Sequence, residues 1–524
     1  MAEEDKSLLY KLKPLVDRMP AVKKPEGHVH FKRKIMWTAL ILVVYFVMTN
    51  VTVYGLDPEK TMDLFAQFRA IFAGSSGSIV HLGISPIVNA SIMMQLFQGA
   101  EIINLDIRDN PKDKALYQNT QKFLVIVMIF VQAVPQAFGY LEPGGAFIDM
   151  LGGFMTGRGL LLARILIVTQ IAIGGYLIFL MDEVISKWGI GSGISLFIVA
   201  GVAQAIFTGT FNWVPSPNAT NNIPVGSIPK TIYLIQHNSA QQLASGGVES
   251  ILLQNPNPLI ALVTTIVIFL IVAYVQASRV ELPLSHGRAR GARGRYPLKL
   301  IYSSVLPVIL VSALLANINL FAMLFYTNPT FQSFPLLGHK WWIGMYQPGS
   351  TAPIAGGAWY ISRVQGLQEW LLPLISERYA GALSPEGVDF TYSKLQIIAH
   401  VICHFVFMTV FAVLFANFWI KTTNMDAKSV AEQIQSSGMQ IPGFRRDPRV
   451  LRKVLERYIP TITNFSGFFI GALAAIANML GTVGNTSGTS LFLAVSILTQ
   501  LYEQIGKEQM MEMHPVLRDF FGSQ

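Results

Sequence analysis

GISPIVNASIMMQLFQGA, running from Gly83 to Ala100, is the stretch whose reading decides the fold. It is apolar enough for a membrane interior, yet it opens on Gly83 and Pro86 and follows a polar, glycine-rich stretch from Asp57. Hydrocarbon offers no partner to freed backbone groups. A span interrupted this way is therefore tolerated at membrane depth only where it is buried in protein or lines a cavity. The segment divides into a short outer piece and a spanning piece, which marks it as the first place to look for function.

Nine further apolar runs lie outward from it, near 35–54, 121–140, 160–181, 190–210, 258–278, 300–325, 396–419, 460–481 and 487–503. Each approaches the roughly 20 residues needed to cross about 30 Å of hydrocarbon. Composition agrees: 52% of the 524 residues are hydrophobic and 13% charged, where a soluble domain carries about 25% charged. The predicted class is an all-α polytopic membrane protein with ten spans. Of the 39 Lys and Arg residues, 30 fall in regions that alternate spans place on the same side as the N-terminus. By the positive-inside rule that side is the cytoplasm, and both termini face it.

The outer loops 211–257 and 326–395 are rich in Asn, Pro, Gly and Ser and are compatible with small hairpins; Asn218-Ala-Thr220 fits a glycosylation sequon. Leu8, Leu9, Leu12, Leu15 and Val16 share one helical face in the N-terminal stretch, a pattern suited either to the cytoplasmic membrane surface or to packing on the protein's own loops. No cleavable signal peptide is expected in so charged a beginning. The single cysteine, Cys403, excludes an internal disulfide and a Cys-based cluster.

The span centres hold no Asp, Glu, Lys or Arg, which argues against a proton-coupled pump or ion-coupled solute transporter. His400, Cys403 and His404 stand at helical spacing and could bind a metal or serve a membrane-embedded enzyme. Packing near the outer end of the eighth span is the plainer expectation. There is no P-loop, so any energy input comes from a partner. No cofactor is expected.

Three further stretches narrow the reading: PKDKALYQNTQK (Pro111–Lys122), DEVISKWGIGSGISLFI (Asp182–Ile198), and RVELPLSHGRARGARGRYPLKL (Arg279–Leu300) together with ERYIPTITNFSGFFIGALAAIANMLG (Glu456–Gly481). With the Gly83–Ala100 stretch they resemble, in order, the SecY family of protein translocation channels in its archaeal and eukaryotic branch. The resemblance implies two pseudo-symmetric halves, residues 35–210 and 258–503, around a central pore. They would be hinged near the outer loop 211–257 and flanked by a cytoplasmic N-terminal segment 1–34 and tail 504–524. It further implies release of transmembrane segments sideways, between spans two and three on one side and seven and eight on the other.

Residue roles follow from the same resemblance. A pore ring of Ile84, Val88, Ile194, Ile198, Leu306, Ile309 and Leu493 is implied, and an apolar constriction of that kind excludes water and ions while gripping no particular passing side chain. The short piece from Thr61 to Ala73 resembles a plug, with Phe65, Phe68, Ile71 and Phe72 packing under the ring and Gly74 and Gly77 as its hinge. Asn89, Gln132 and Asn317 match polar positions facing one another across the lateral gate. Arg288, Arg290, Arg293 and Arg295 sit among glycines in a cytoplasmic loop (279–299) expected to be exposed and mobile. Arg445 and Arg446 belong to a second basic loop (420–459). Both loops suit the phosphates of ribosomal RNA. The implied partners are a SecE-type (gamma) subunit, a small beta subunit, the ribosome, signal sequences and nascent chains. The implied location is the plasma membrane, or the endoplasmic reticulum in a eukaryote.

Overall fold

The structure, a computed structural model, describes residues 22–27, 29–57, 73–99, 103, 110–139, 141–152, 158–215, 223–239, 241, 247–254, 257–286, 293–299, 306–327, 342–346, 352–375, 392–423, 425–436, 439–440, 448–484 and 486–513. Ten helices correspond to the ten expected spans. Span 1 is Phe31–Asn50, span 2 Ser85–Gly99, span 3 Pro111–Gly139, span 4 Gly159–Trp188 and span 5 Gly193–Phe211. Span 6 is Leu259–Ala277, span 7 Leu306–Thr327, span 8 Lys394–Thr422, span 9 Pro448–Leu480 and span 10 Gly488–Met513. Seven are long and apolar enough to cross a membrane unaided; spans 1, 2 and 10 fall short by that measure. Span 2 has 15 residues, about 22 Å of helix at 1.5 Å per residue, so the irregular chain before it must complete the crossing.

Packing sorts the spans into two groups of five. Spans 1 and 4, 2 and 3, 3 and 4, and 4 and 5 are neighbours in the first half; spans 6 and 10, 7 and 8, 8 and 9, and 9 and 10 in the second. The halves meet along two seams. On one, span 2 touches spans 7 and 8; on the other, span 5 touches span 10. Spans 8 and 9 lie especially close because Gly467 and Gly471, four residues apart, present no side chain to Val413, Met408 and Ala412, the small-xxx-small solution to helix contact in lipid. One continuous apolar core runs through both halves.

The two ends differ in chemistry. At one end, the Glu183 carboxylate pairs with Lys122 and with Lys187 (3.2 Å), and accepts the Val22 amide (2.8 Å). Lys34 pairs with Glu508 at 2.8 Å, tying span 1 to span 10. The same end carries a three-stranded antiparallel sheet, ordered β2–β1–β5, from β1 (Arg279–His286), β2 (Arg293–Lys299) and β5 (Met439–Gln440). This differs from the expected mobile loop: Arg293 stands opposite Ser285 and Arg295 opposite Pro283 in a hairpin register. Of the glycines that suggested looseness, Gly294 lies within β2, while Gly287 and Gly291 fall outside the described residues. The opposite end carries the small hairpin of β3 (Met345–Tyr346) and β4 (Pro353–Ala355), in one of the two loops where hairpins were expected.

Candidate functional site

Span 2 is launched by a tightly held turn. The Ile79 amide donates to the Val51 carbonyl (2.9 Å) and the Val53 amide to that of Gly77 (2.8 Å). Gly77 (φ 66°) and Gly83 (φ 56°) occupy left-handed backbone, where glycine carries no steric cost. The turn presses into the protein: a Cβ on Gly174 of span 4 would stand 1.9 Å from the Ile79 carbonyl oxygen. This delivers Ile84 and Val88 into the interior, 0% and 5% exposed.

Span 5 starts in an equally determined way. Its Ile194 amide donates to the Asp182 carboxylate (2.9 Å), satisfying one of the orphan donors of a helix N-terminus. Gly193 is needed beside it, because a Cβ there would lie 2.6 Å from the Asp182 Cα. Span 10 starts on a reciprocal pair, Ser487 Oγ accepting from the Ser490 amide (2.9 Å) and Ser490 Oγ from the Ser487 amide (2.8 Å). The motif match assigned no role to Asp182, Ser487 or Ser490. A short polar residue at the head of an apolar run is the sequence signal that finds the two serines, whereas Asp182 lies inside the last turns of span 4 and reaches span 5 only through the fold.

Among the ring candidates, Ile84, Val88, Ile198, Ile309 and Leu493 all belong to the one apolar core, and Ile194 and Leu306 are half-buried against it. They come from spans 5, 7 and 10 and the head of span 2, the helices that meet where the halves meet. The plug candidates Phe65, Phe68, Ile71 and Phe72 lie outside the described residues, as do Arg288, Arg290, Arg445, Arg446, Asn218 and the N-terminal face from Leu8 to Val16.

At the seam, Asn89 of span 2 and Asn317 of span 7 exchange hydrogen bonds. Asn317 Nδ2 donates to Asn89 Oδ1 at 2.8 Å, and Asn89 Nδ2 to Asn317 Oδ1 at 3.4 Å. Gln132 is buried but does not join them; among the described residues neither of its amide atoms has a partner, and the same holds for Gln136 one turn further along span 3. Gln136 was not singled out from the sequence.

His400 and His404 have structural partners. His400 Nε2 lies 3.1 Å from the Ser362 carbonyl, and His404 Nδ1 lies 3.3 Å from the Ile361 carbonyl. They fasten the 357–363 segment to span 8, while Cys403 points outward. Among the described residues no group of three or more His, Cys, Asp and Glu is placed to hold a metal. The metal-site alternative finds no support there.

A broken second span, a buried aliphatic set at the junction of two five-helix halves, and an amide pair across the seam define a polytopic channel-like protein. The SecY family model matches residues 78–502, and a model of the plug domain of Sec61p matches residues 43–77. The chain belongs to the SecY family. It is 46% identical over 521 residues to the protein translocase subunit SecY of Archaeoglobus fulgidus, covering 99% of each chain. It is 45% identical to that of Haloferax volcanii, covering 98% of each. Among solved structures it is similar to a protein-conducting channel (TM-score 0.74, 36% identity, 96% of this chain and 98% of that one). It is also similar to Sec61 in the canine ribosome–channel complex from the endoplasmic reticulum (TM-score 0.72, 36% identity, 96% and 98%).

Proposed function

We propose that this chain is the pore-forming subunit of a protein translocation channel, a passive conduit for unfolded polypeptide with a lateral exit into lipid. The observation that carries the reading is the buried aliphatic set from four different segments at the junction of the halves. In the resting state, Ile84, Val88, Ile194, Ile198, Leu306, Ile309 and Leu493 form a dry collar that closes without charge. A moving chain parts these flexible side chains, which reseal around it because no member binds cargo specifically.

The seam of spans 2 and 3 against spans 7 and 8 is the lateral gate. Interhelical hydrogen bonds of the Asn89–Asn317 kind contribute about 1 kcal/mol each. An apolar segment gains about 0.8 kcal/mol per methylene it buries, so a sufficiently hydrophobic segment wins and a hydrophilic one does not. Residues 61–73 are the plug. Both termini and the basic loops face the cytoplasm, where the hairpin bearing Arg293 and Arg295, with Arg288 and Arg290 between its strands in sequence and Arg445 and Arg446 a few residues after β5 in sequence, meets the ribosome's RNA. By family resemblance, a SecE-type subunit and a small beta subunit would complete the complex, and the archaeal relatives favour the plasma membrane as its home.

The seam can be tested directly. After Cys403→Ser, cysteines at 89 and 317 are joined by a short thiol-reactive bridge in the assembled complex. Lateral integration of a membrane segment should stop, and cleavage of the bridge should restore it. Unchanged integration with the bridge intact contradicts the gate.

A further inference from the structure

The root of the plug is held by a contact that the ring and gate do not use. Tyr45 of span 1 is buried in the core at 1% exposure, and its hydroxyl donates to the Ala73 carbonyl at 2.9 Å. Its ring stacks on Phe197 of span 5, centroids 4.9 Å apart and planes 26° apart. Phe197 directly precedes the ring candidate Ile198. Ala73 itself is strained, with φ 50° and 1% exposure. A residue with a Cβ adopts this left-handed backbone only when its surroundings impose it. The neighbouring left-handed positions in this segment, Gly77 and Gly83, are glycines.

We propose that Tyr45 is a positioning residue that latches the plug's root in the closed channel, its hydroxyl holding Ala73 in a strained conformation that relaxes on opening. This rests on the pore and plug reading above. The device works through two opposed contributions. The buried hydrogen bond favours closure, because a carbonyl left without its donor in an apolar site loses heavily. The left-handed alanine favours release, because the chain regains ordinary backbone once the carbonyl is let go. The stack on Phe197 places the latch beside span 5, so displacement of the ring on that helix disturbs the Tyr45 hydroxyl as well.

Two substitutions therefore act in opposite directions. Tyr45→Phe keeps the ring, its burial and its stack but removes the donor. Ala73→Gly keeps the hydrogen bond but removes the strain. The test is the resting leak of iodide through the complete channel complex reconstituted in liposomes, with assembly checked by gel filtration. Tyr45→Phe should raise the leak about five-fold, the equivalent of one net intramolecular hydrogen bond, and Ala73→Gly should lower it. A wild-type leak in Tyr45→Phe overturns the latch. Ile198→Ser, measured in parallel, separates the two levels. If it raises the leak while Tyr45→Phe does not, the pore stands and the latch falls; if neither does, the pore reading falls and the latch with it. Should Tyr45→Phe fail to assemble, Ala73→Gly decides alone, since an unchanged or higher leak contradicts stored strain at residue 73.

Discussion

Asn89 and Asn317 face each other as two amides, each donating to the other's oxygen across the seam between the halves. Removing one amide leaves the other buried and unpaired. Asn317→Ala should therefore ease opening by about 1 kcal/mol and let less hydrophobic segments integrate. A series of guest segments of graded leucine content checks this, and combining it with Asn89→Ala should give less than the sum of the two effects. Gln132 and Gln136 show the opposite condition, buried without partners among the described residues, so replacing Gln136 with Leu should not weaken the closed fold. Glycine supplies a cleaner contrast. At Gly484 (φ 68°) a Cβ would stand 2.1 Å from the Ala205 carbonyl oxygen, on the seam where the halves meet away from the gate. Gly484→Ala should destabilise the purified protein by more than about 2 kcal/mol. Gly506→Ala, on a helix with open space around it, should stabilise it by up to about 1 kcal/mol. Thermal unfolding in detergent reads both signs.

The short helix Ser227–His237 buries Lys230, whose ammonium donates to the Gln254 carbonyl at 2.6 Å. Burial pushes its pKa down from 10.5 to about 8. The unfolded chain thus holds the proton up to about pH 10.5 and the folded chain only to about 8, so the unfolded state binds more protons within that window. Stability should rise between those pH values and stay flat below them. The slope, measured as melting temperature, should be absent in Lys230→Met. At this scale the ten spans were legible because each is a long apolar run, and their observed bounds shift by a few residues at most of the lipid-facing ends. Larger differences fall where helices leave the membrane: span 9 starts at Pro448 and span 10 runs to Met513, because a polar helix is invisible to an apolarity argument. The β1–β2 hairpin was missed for a different reason. Val280, Leu282 and Leu284 do alternate along β1, as Tyr296 and Leu298 do along β2. But the runs are short, each holds a proline, and the arginines and glycines between them drew the reading to a loop. The Asn89–Asn317 contact was legible only through the family motif, since nothing local makes residues 89 and 317 neighbours. That Gln132 stands apart from this pair was not legible at all.

The whole molecule is two helical halves that share one apolar core and meet along two seams. Across one seam lies the amide pair; across the other, Gly209 and Gly484 touch backbone to backbone; at the basic end, Lys34 of span 1 reaches Glu508 of span 10. Within the first half, Glu183 gathers Lys122, Lys187 and the Val22 amide. Removing its charge leaves Lys122 and Lys187 without their carboxylate in a part-buried site, and a hydrogen bond to a charged group contributes about 1.5–3 kcal/mol. Glu183→Gln should loosen the segment around Val22, seen as faster proteolysis there. Seams that are mostly apolar and uncharged within the membrane suit a body that must part and close repeatedly. The account's central claim is that polypeptide crosses between the halves, through the aliphatic collar. Photoreactive probes placed along a stalled secretory chain in the assembled complex test it most directly. Capture should fall on Ile84, Ile194 and Ile309, from both halves, at probe positions lying mid-membrane. Capture confined to peripheral loops, or to one half alone, would contradict a central conduit.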